Sequence, residues 1–63
     1  MLIYHYVFHY AAGFDVAGTA FTPHGVHRTI PLTDGELNYV EAMRPGDHWI
    51  SVEGVVEIRC YRS

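Results

Sequence analysis

The chain has no lysine. Its cationic side chains are Arg28, Arg44, Arg59 and Arg62, set against seven carboxylates for a formal net charge of −3. Proteins that grip a nucleic-acid backbone cluster Lys and Arg to displace counterions. No such cluster exists here, so sequence-reading DNA or RNA binding is not expected. Cysteine is nearly absent as well: Cys60 stands alone. That excludes an intramolecular disulfide and leaves the redox compartment open. The four-thiolate and Cys₂His₂ zinc patterns are missing too. The longest apolar run, Met1 to Phe8, is broken by His5 and is far shorter than the roughly 20 residues of a membrane helix. The opening also lacks the basic start and cleavage site of a signal peptide. These absences lead to the expectation of a soluble, cytoplasmic protein with no membrane partner.

What is present is apolar. Hydrophobic residues make up 49% and charged residues 17% of the 63 positions, which is too apolar and too weakly charged for a disordered chain. The length allows one domain, residues 1–63. A chain this short buries only about 60% of its unfolded surface, so its core is marginal unless reinforced. With no disulfide and no zinc pattern, self-association is the reinforcement left, and a homo-oligomer is expected. The charge is uneven. Residues 1–27 hold one carboxylate, Asp15, no Arg, and four of the five histidines.

Leu2 to Tyr10 is dense in aromatic and β-branched residues and reads as a strand. Alternation places Leu2, Tyr4, Tyr6, Phe8 and Tyr10 on one face and Ile3, His5, Val7 and His9 on the other. Neither face is charged, so a helix is expected over one and a second subunit or a ligand over the other. Ala11 to Asp15 reads as a loop and Val16 to Thr22 as the return strand of a hairpin. Pro23-His24-Gly25 reads as a turn and His27 to Leu32 as an extended connection. Thr33-Asp-Gly-Glu36 matches a capping box, which predicts a helix from about Asp34 to Arg44. Its apolar stripe is Leu37, Val40 and Met43, with Leu32 or Tyr39 beside them. His48 to Val52 and Val55 to Tyr61 read as two strands around Glu53-Gly54, or as one strand bulged at Gly54. The expected class is α+β: an antiparallel sheet of four or five strands, order ββ(β)αββ, with one helix packed across it.

The histidines raise the question of metal. His5 and His9 share a face but sit roughly 13 Å apart at about 3.3 Å per residue, too far to ligate one ion. His24 and His27, joined by His5, His48 or Asp47, would have ligand types suited to zinc, without a supporting spacing. Hydrogen-bonded interface histidines on the strand and solvated ones at the turn are the plainer reading. No nucleophile elbow surrounds Ser51 or Ser63, and no phosphate loop precedes the helix. Cys60 sits on the apolar side of a strand, where buried thiols are inert. No enzyme activity and no cofactor are expected.

Aromatic rings carry more weight, because Tyr and Trp are favoured at interfaces and where planar ligands stack. Leu2, Tyr4, Tyr6 and Phe8 suit a core facing the helix. Tyr10, Phe14 and the histidine face are freer to contact something else. Arg28, Arg59 or Arg62 could hold a phosphate by a charge-assisted fork. The candidate ligand-binding residues are therefore His5, His9, Tyr10, Phe14, Arg28 and Arg59.

Tyr4-x-Tyr6-x-Phe8-His9-Tyr10, Gly13-Phe14, Gly18, the capped helix from Thr33 and the closing strand together resemble the short β-β-α-β accessory proteins of phages. The resemblance is one of element pattern across most of the chain and carries over no functional residue. It implies a compact, non-catalytic anti-defence binder acting in the host cytoplasm, either sequestering a nucleotide signal or capping a host effector. The leading expectation is a homo-oligomer that binds a small anionic, nucleotide-like ligand at a subunit junction. The alternatives are an anti-CRISPR-like inhibitor of a host protein, using Asp34, Glu36, Glu41, Asp47, Glu53 and Glu57, and a zinc-stabilised structural module.

Overall fold

A computed structural model describes residues 1–10, 13–51 and 53–63. The expected Ala11–Asp15 loop at Ala11 and Ala12, and the expected strand end at Val52, lie outside the described residues. The elements in chain order are β1 (Leu2–His9), β2 (Asp15–Ala20), α1 (Pro23–Thr29), α2 (Asp34–Glu41), β3 (His48–Ile50) and β4 (Val56–Arg62). The strands form one antiparallel sheet in the order β2-β1-β4-β3. Two hairpins, β1–β2 and β3–β4, are thus joined through the helices, and the first and last strands lie side by side at the centre.

The alternation of β1 sorts its residues as the sequence implies. Tyr4 and Tyr6 are buried with Val56, Ile58 and Cys60 of β4, and with Val26, Ile30, Leu32, Val40 and Met43 of the helical layer. Leu2 and Phe8 pack against that core from its margins. Tyr6 stands opposite Gly18 in β2. Its ring fills the space where a Gly18 side chain would be, with Cζ 2.7 Å from the place of a Cβ.

The helical layer corrects one expectation. The segment read as a turn and an extended connection is α1, so the sheet carries two helices rather than one. Thr22 is its N-cap, its hydroxyl accepting a hydrogen bond from the Gly25 N–H at 3.0 Å, and Pro23 occupies the first turn. Proline there has no N–H to waste and a φ already helical, which makes Thr-Pro a helix start as much as a turn signal. Val26 and Ile30, four apart, point one side of this turn pair into the core. Ile30 closes the helix through its N–H to the Val26 carbonyl at 2.9 Å.

The capping box of α2 forms in full, with Glu36 N–H to Thr33 Oγ1 at 3.1 Å and Thr33 N–H to Glu36 Oε1 at 2.9 Å. The helix stops at Glu41 rather than Arg44. Asp47 takes over there, accepting the Arg44 N–H on its carboxylate at 2.9 Å and thereby shaping the Arg44–Asp47 turn. Of the two candidates for the side of the stripe, Leu32 is buried and Tyr39 is exposed. The last two strands form a hairpin, Trp49 opposite Ile58 and Ile50 opposite Glu57. Ser51 is buried at its turn, its hydroxyl accepting from the Val55 and Val56 N–H groups at 3.1 Å each.

Candidate functional site

Both helices pack on one face of the sheet. The opposite face carries Ile3, His5, Val7 and His9 of β1, Asp15, Ala17 and Thr19 of β2, Glu57, Arg59 and Tyr61 of β4, and His48 and Ile50 of β3. No element among the described residues lies over it. Strand register decides which of these meet. Arg59 has His5 as its partner on β1 and His48 as its partner on β3, so the guanidinium stem is flanked by an imidazole on each side. Among the described residues Arg59 pairs with no carboxylate. It lines a hollow of about 180 Å³ with His5, Val7, Glu57 and Tyr61. A second hollow of about 220 Å³, bounded by Gly46, Asp47, His48 and Tyr61, lies on its other side.

The carboxylate of this face is engaged. Glu57 Oε2 lies 2.6 Å from His9 Nε2, and its Oε1 lies 3.2 Å from His48 Nε2. His9 Nδ1 in turn lies 2.8 Å from Asp15 Oδ1. The result is a polar chain, Asp15–His9–Glu57–His48, that crosses all four strands. With a carboxylate at each ring nitrogen, His9 donates to both only as the imidazolium. Those hydrogen bonds, first to Glu57 and then to Asp15, raise the His9 pKa above the ordinary histidine value. Glu57 is held below the usual carboxylate range, chiefly by the same bond to His9. Both Glu57 oxygens are thus hydrogen-bonded to imidazoles, and Arg59 is left as the charged side chain of the hollow that makes no ion pair among the described residues.

The six expected ligand-binding residues separate into three places. His5, His9 and Arg59 share the open face. Tyr10 and Phe14 lie at the end of the β1–β2 hairpin, stacked with ring centroids 5.0 Å apart, and Tyr10 continues to Phe8 at 4.6 Å. Both rings are largely exposed. Arg28 is an exposed residue of α1 and so belongs to the layer on the far side of the sheet. One copy of the chain does not bring Arg28 together with the rest. Glu57 was expected only as part of an acidic surface, and strand alternation alone sets it and Tyr61 on the face of Arg59. No local signal indicated that β4 lies beside β1, which is what places Glu57 against His9.

The turn histidines are helical and solvent-exposed. His24 Nε2 is 3.8 Å from Glu41 Oε1, and His27 Nδ1 accepts the Leu32 N–H at 3.1 Å. Among the described residues, no three His, Cys, Asp or Glu side chains converge as a set that could hold a metal ion. Cys60 is buried, and burial pushes its thiol pKa up. No helix among the described residues is long and apolar enough to cross a membrane. Compared with family models, curated proteins and solved structures, the chain matches none.

Proposed function

We propose that this is a non-enzymatic, self-associating binding protein that takes a small anionic, nucleotide-like ligand on the open face of its sheet. The observation that carries the reading is Arg59: a guanidinium in no ion pair among the described residues, set between two histidines, in a hollow also lined by Val7, Tyr61 and the histidine-bound Glu57. A planar fork of donors suits a phosphate, imidazoles add donors as they protonate, and a tyrosine ring offers a stacking face. The hollow, at about 180 Å³, is smaller than the ~300–1,000 Å³ of pockets that enclose drug-sized ligands. It fits a phosphate and part of a sugar or base, with the rest of the ligand lying along the open face.

The test is thermal melting against inorganic phosphate and a panel of mono-, di- and cyclic nucleotides. A ligand present at 100 times its Kd stabilises the folded state by about 2.7 kcal/mol. In a domain of this size that raises the midpoint by about 10–20 °C. Arg59→Ala is expected to abolish the rise and Arg28→Ala to leave it. A panel without any shift, or a shift that survives Arg59→Ala, overturns the assignment.

A further inference from the structure

The two edges of the sheet are built differently. β3 spans three residues, His48–Ile50, and ends at the buried Ser51 turn. β2 spans six, Asp15–Ala20, and Asp15, Val16, Ala17 and Thr19 are exposed. Natural sheets guard such an edge with lysine, proline, a bulge or an inward charge. β2 has none of these, its one charge being the outer-end Asp15.

Hydrogen-bond phase shows which groups the edge offers. The Phe14 carbonyl accepts the Tyr10 N–H at 3.1 Å. By strand alternation Phe14, Val16, Gly18 and Ala20 direct their backbone groups to β1, while Asp15, Ala17 and Thr19 direct theirs outward. We infer that the outward edge of β2 pairs with β2 of a second copy, antiparallel and centred on Ala17, to form one continuous eight-stranded sheet. The inference deepens the proposed function by naming where its copies meet, and it rests on the self-association in that reading.

Four features favour a copy of this chain as the occupant. A two-fold axis at Ala17 sets Ala17 against itself and Asp15 against Thr19 of the second copy, so every outward N–H and carbonyl of the strand finds a partner. The two Asp15 carboxylates fall at opposite ends, each beside a threonine hydroxyl rather than another acid. On the helix side the same axis sets Val16 against Gly18 and Phe14 against Ala20, so each large side chain meets a small one. Val16 and Phe14, 37% and 56% exposed in the single chain, thereby gain cover. The polar chain on the open face begins at Asp15 on this edge, so pairing joins the two open faces into a single surface with one network at each end of the seam.

Native mass spectrometry and light scattering at micromolar concentration give the first readout. The expected mass is twice the 7.2 kDa of the chain. Ala17→Pro removes one outward N–H and none that β1 uses, so it is expected to yield a folded monomer with an unchanged far-ultraviolet spectrum. Thr19→Asp is the second variant, setting a carboxylate directly against Asp15 of the second copy at both ends of the seam without touching the backbone, and this like-charge pairing is expected to weaken the dimer at least tenfold. A wild-type monomer overturns both the pairing and the self-association. A dimer that survives both variants overturns the pairing alone. Ligand binding is read separately by the Arg59 melting experiment, so failure there leaves the dimer result standing.

Discussion

The two faces of this sheet come from the same strands, one residue out of phase, and they obey different physics. On the helix side, Tyr4, Tyr6, Val56, Ile58 and Cys60 meet two helices and lose almost all contact with solvent. On the other side, His5, Val7 and His9 lie beside Glu57, Arg59 and Tyr61, with no layer above them among the described residues. The covered face is held by apolar burial, which scales with area and tolerates no polar group without a partner. The open face is held by cross-strand hydrogen bonds among ionisable groups, which respond to pH and salt. The comparison teaches that apolar burial and ionisable hydrogen bonding are assigned to opposite sides of one element, so a change on one side should be nearly silent on the other.

The sharpest way to break that claim is truncation on each face. Ile58 is fully buried at the sheet centre. Ile58→Ala is expected to cost about 3 kcal/mol, the transfer loss plus the cavity left behind. That is a large share of the ~5 kcal/mol at the lower end of domain stabilities, so Ile58→Val, costing about 1 kcal/mol, supplies the graded version. Val7→Ala, on the open face, is expected to cost less than Ile58→Val in urea denaturation. A Val7→Ala cost equal to that of Ile58→Ala would mean that the open face is covered in solution.

A second contrast lies within β2, between adjacent residues on opposite faces. Gly18 faces the Tyr6 ring, and a Cβ there would lie 2.7 Å from Cζ of a buried aromatic that cannot swing aside. Gly18→Ala is expected to cost about 1–3 kcal/mol through overpacking. Thr19→Ala, one residue on, is expected to stay within about 0.5 kcal/mol. Tyr6→Phe should recover part of the Gly18→Ala loss by withdrawing the hydroxyl. Equal costs at the two positions would show that Tyr6 is not packed as described.

How far the sequence revealed this division follows from what each signal depends on. Alternation within a strand is local, so the separation of Tyr4 and Tyr6 from His5 and His9, and of Ile58 and Cys60 from Glu57 and Arg59, was readable from strand period alone. The capping box of Thr33 and Glu36 was equally local. Pro23 was ambiguous, because Thr-Pro-His-Gly satisfies both a turn and a helix start, and the i, i+4 pair Val26 and Ile30 that resolves it spans a segment which Pro31 made look extended. Strand order was not local at all. Nothing in the sequence stated that β4 would insert beside β1. The Glu57 contact to His9, the flanking of Arg59 by His5 and His48, and the removal of Arg28 to the far layer all follow from that topology.

The smallest expected effect tests the open face on its own terms. The groups facing His9 are Asp15 from β2 and Glu57 from β4, with His48 of β3 on the far oxygen of Glu57. His9 has a raised folded-state pKa. Its contribution is therefore complete below the unfolded histidine value near ~6.5 and is lost as pH rises through the raised one. Glu57 has a lowered pKa, so its contribution is present above the ordinary carboxylate value and is lost as pH falls through the depressed one. The strand-spanning network is thus strongest between the ordinary carboxylate value and the ordinary histidine value, and the stability curve should decline on both sides, toward Glu57's lowered and His9's raised values. His9→Gln keeps a hydrogen-bonding side chain but cannot become a double donor of charge. It is expected to flatten the decline on the alkaline side and, by removing the main cause of the Glu57 shift, to weaken the acid limb as well. Because these groups are half exposed, added salt should shrink the difference between wild type and His9→Gln, while the Ile58→Ala loss should persist. Urea midpoints from about pH 2 to about pH 9 at two ionic strengths measure all of this. Parallel curves for wild type and His9→Gln would show that the imidazole does not bind the strands together, and that the open face is held by its backbone ladder alone.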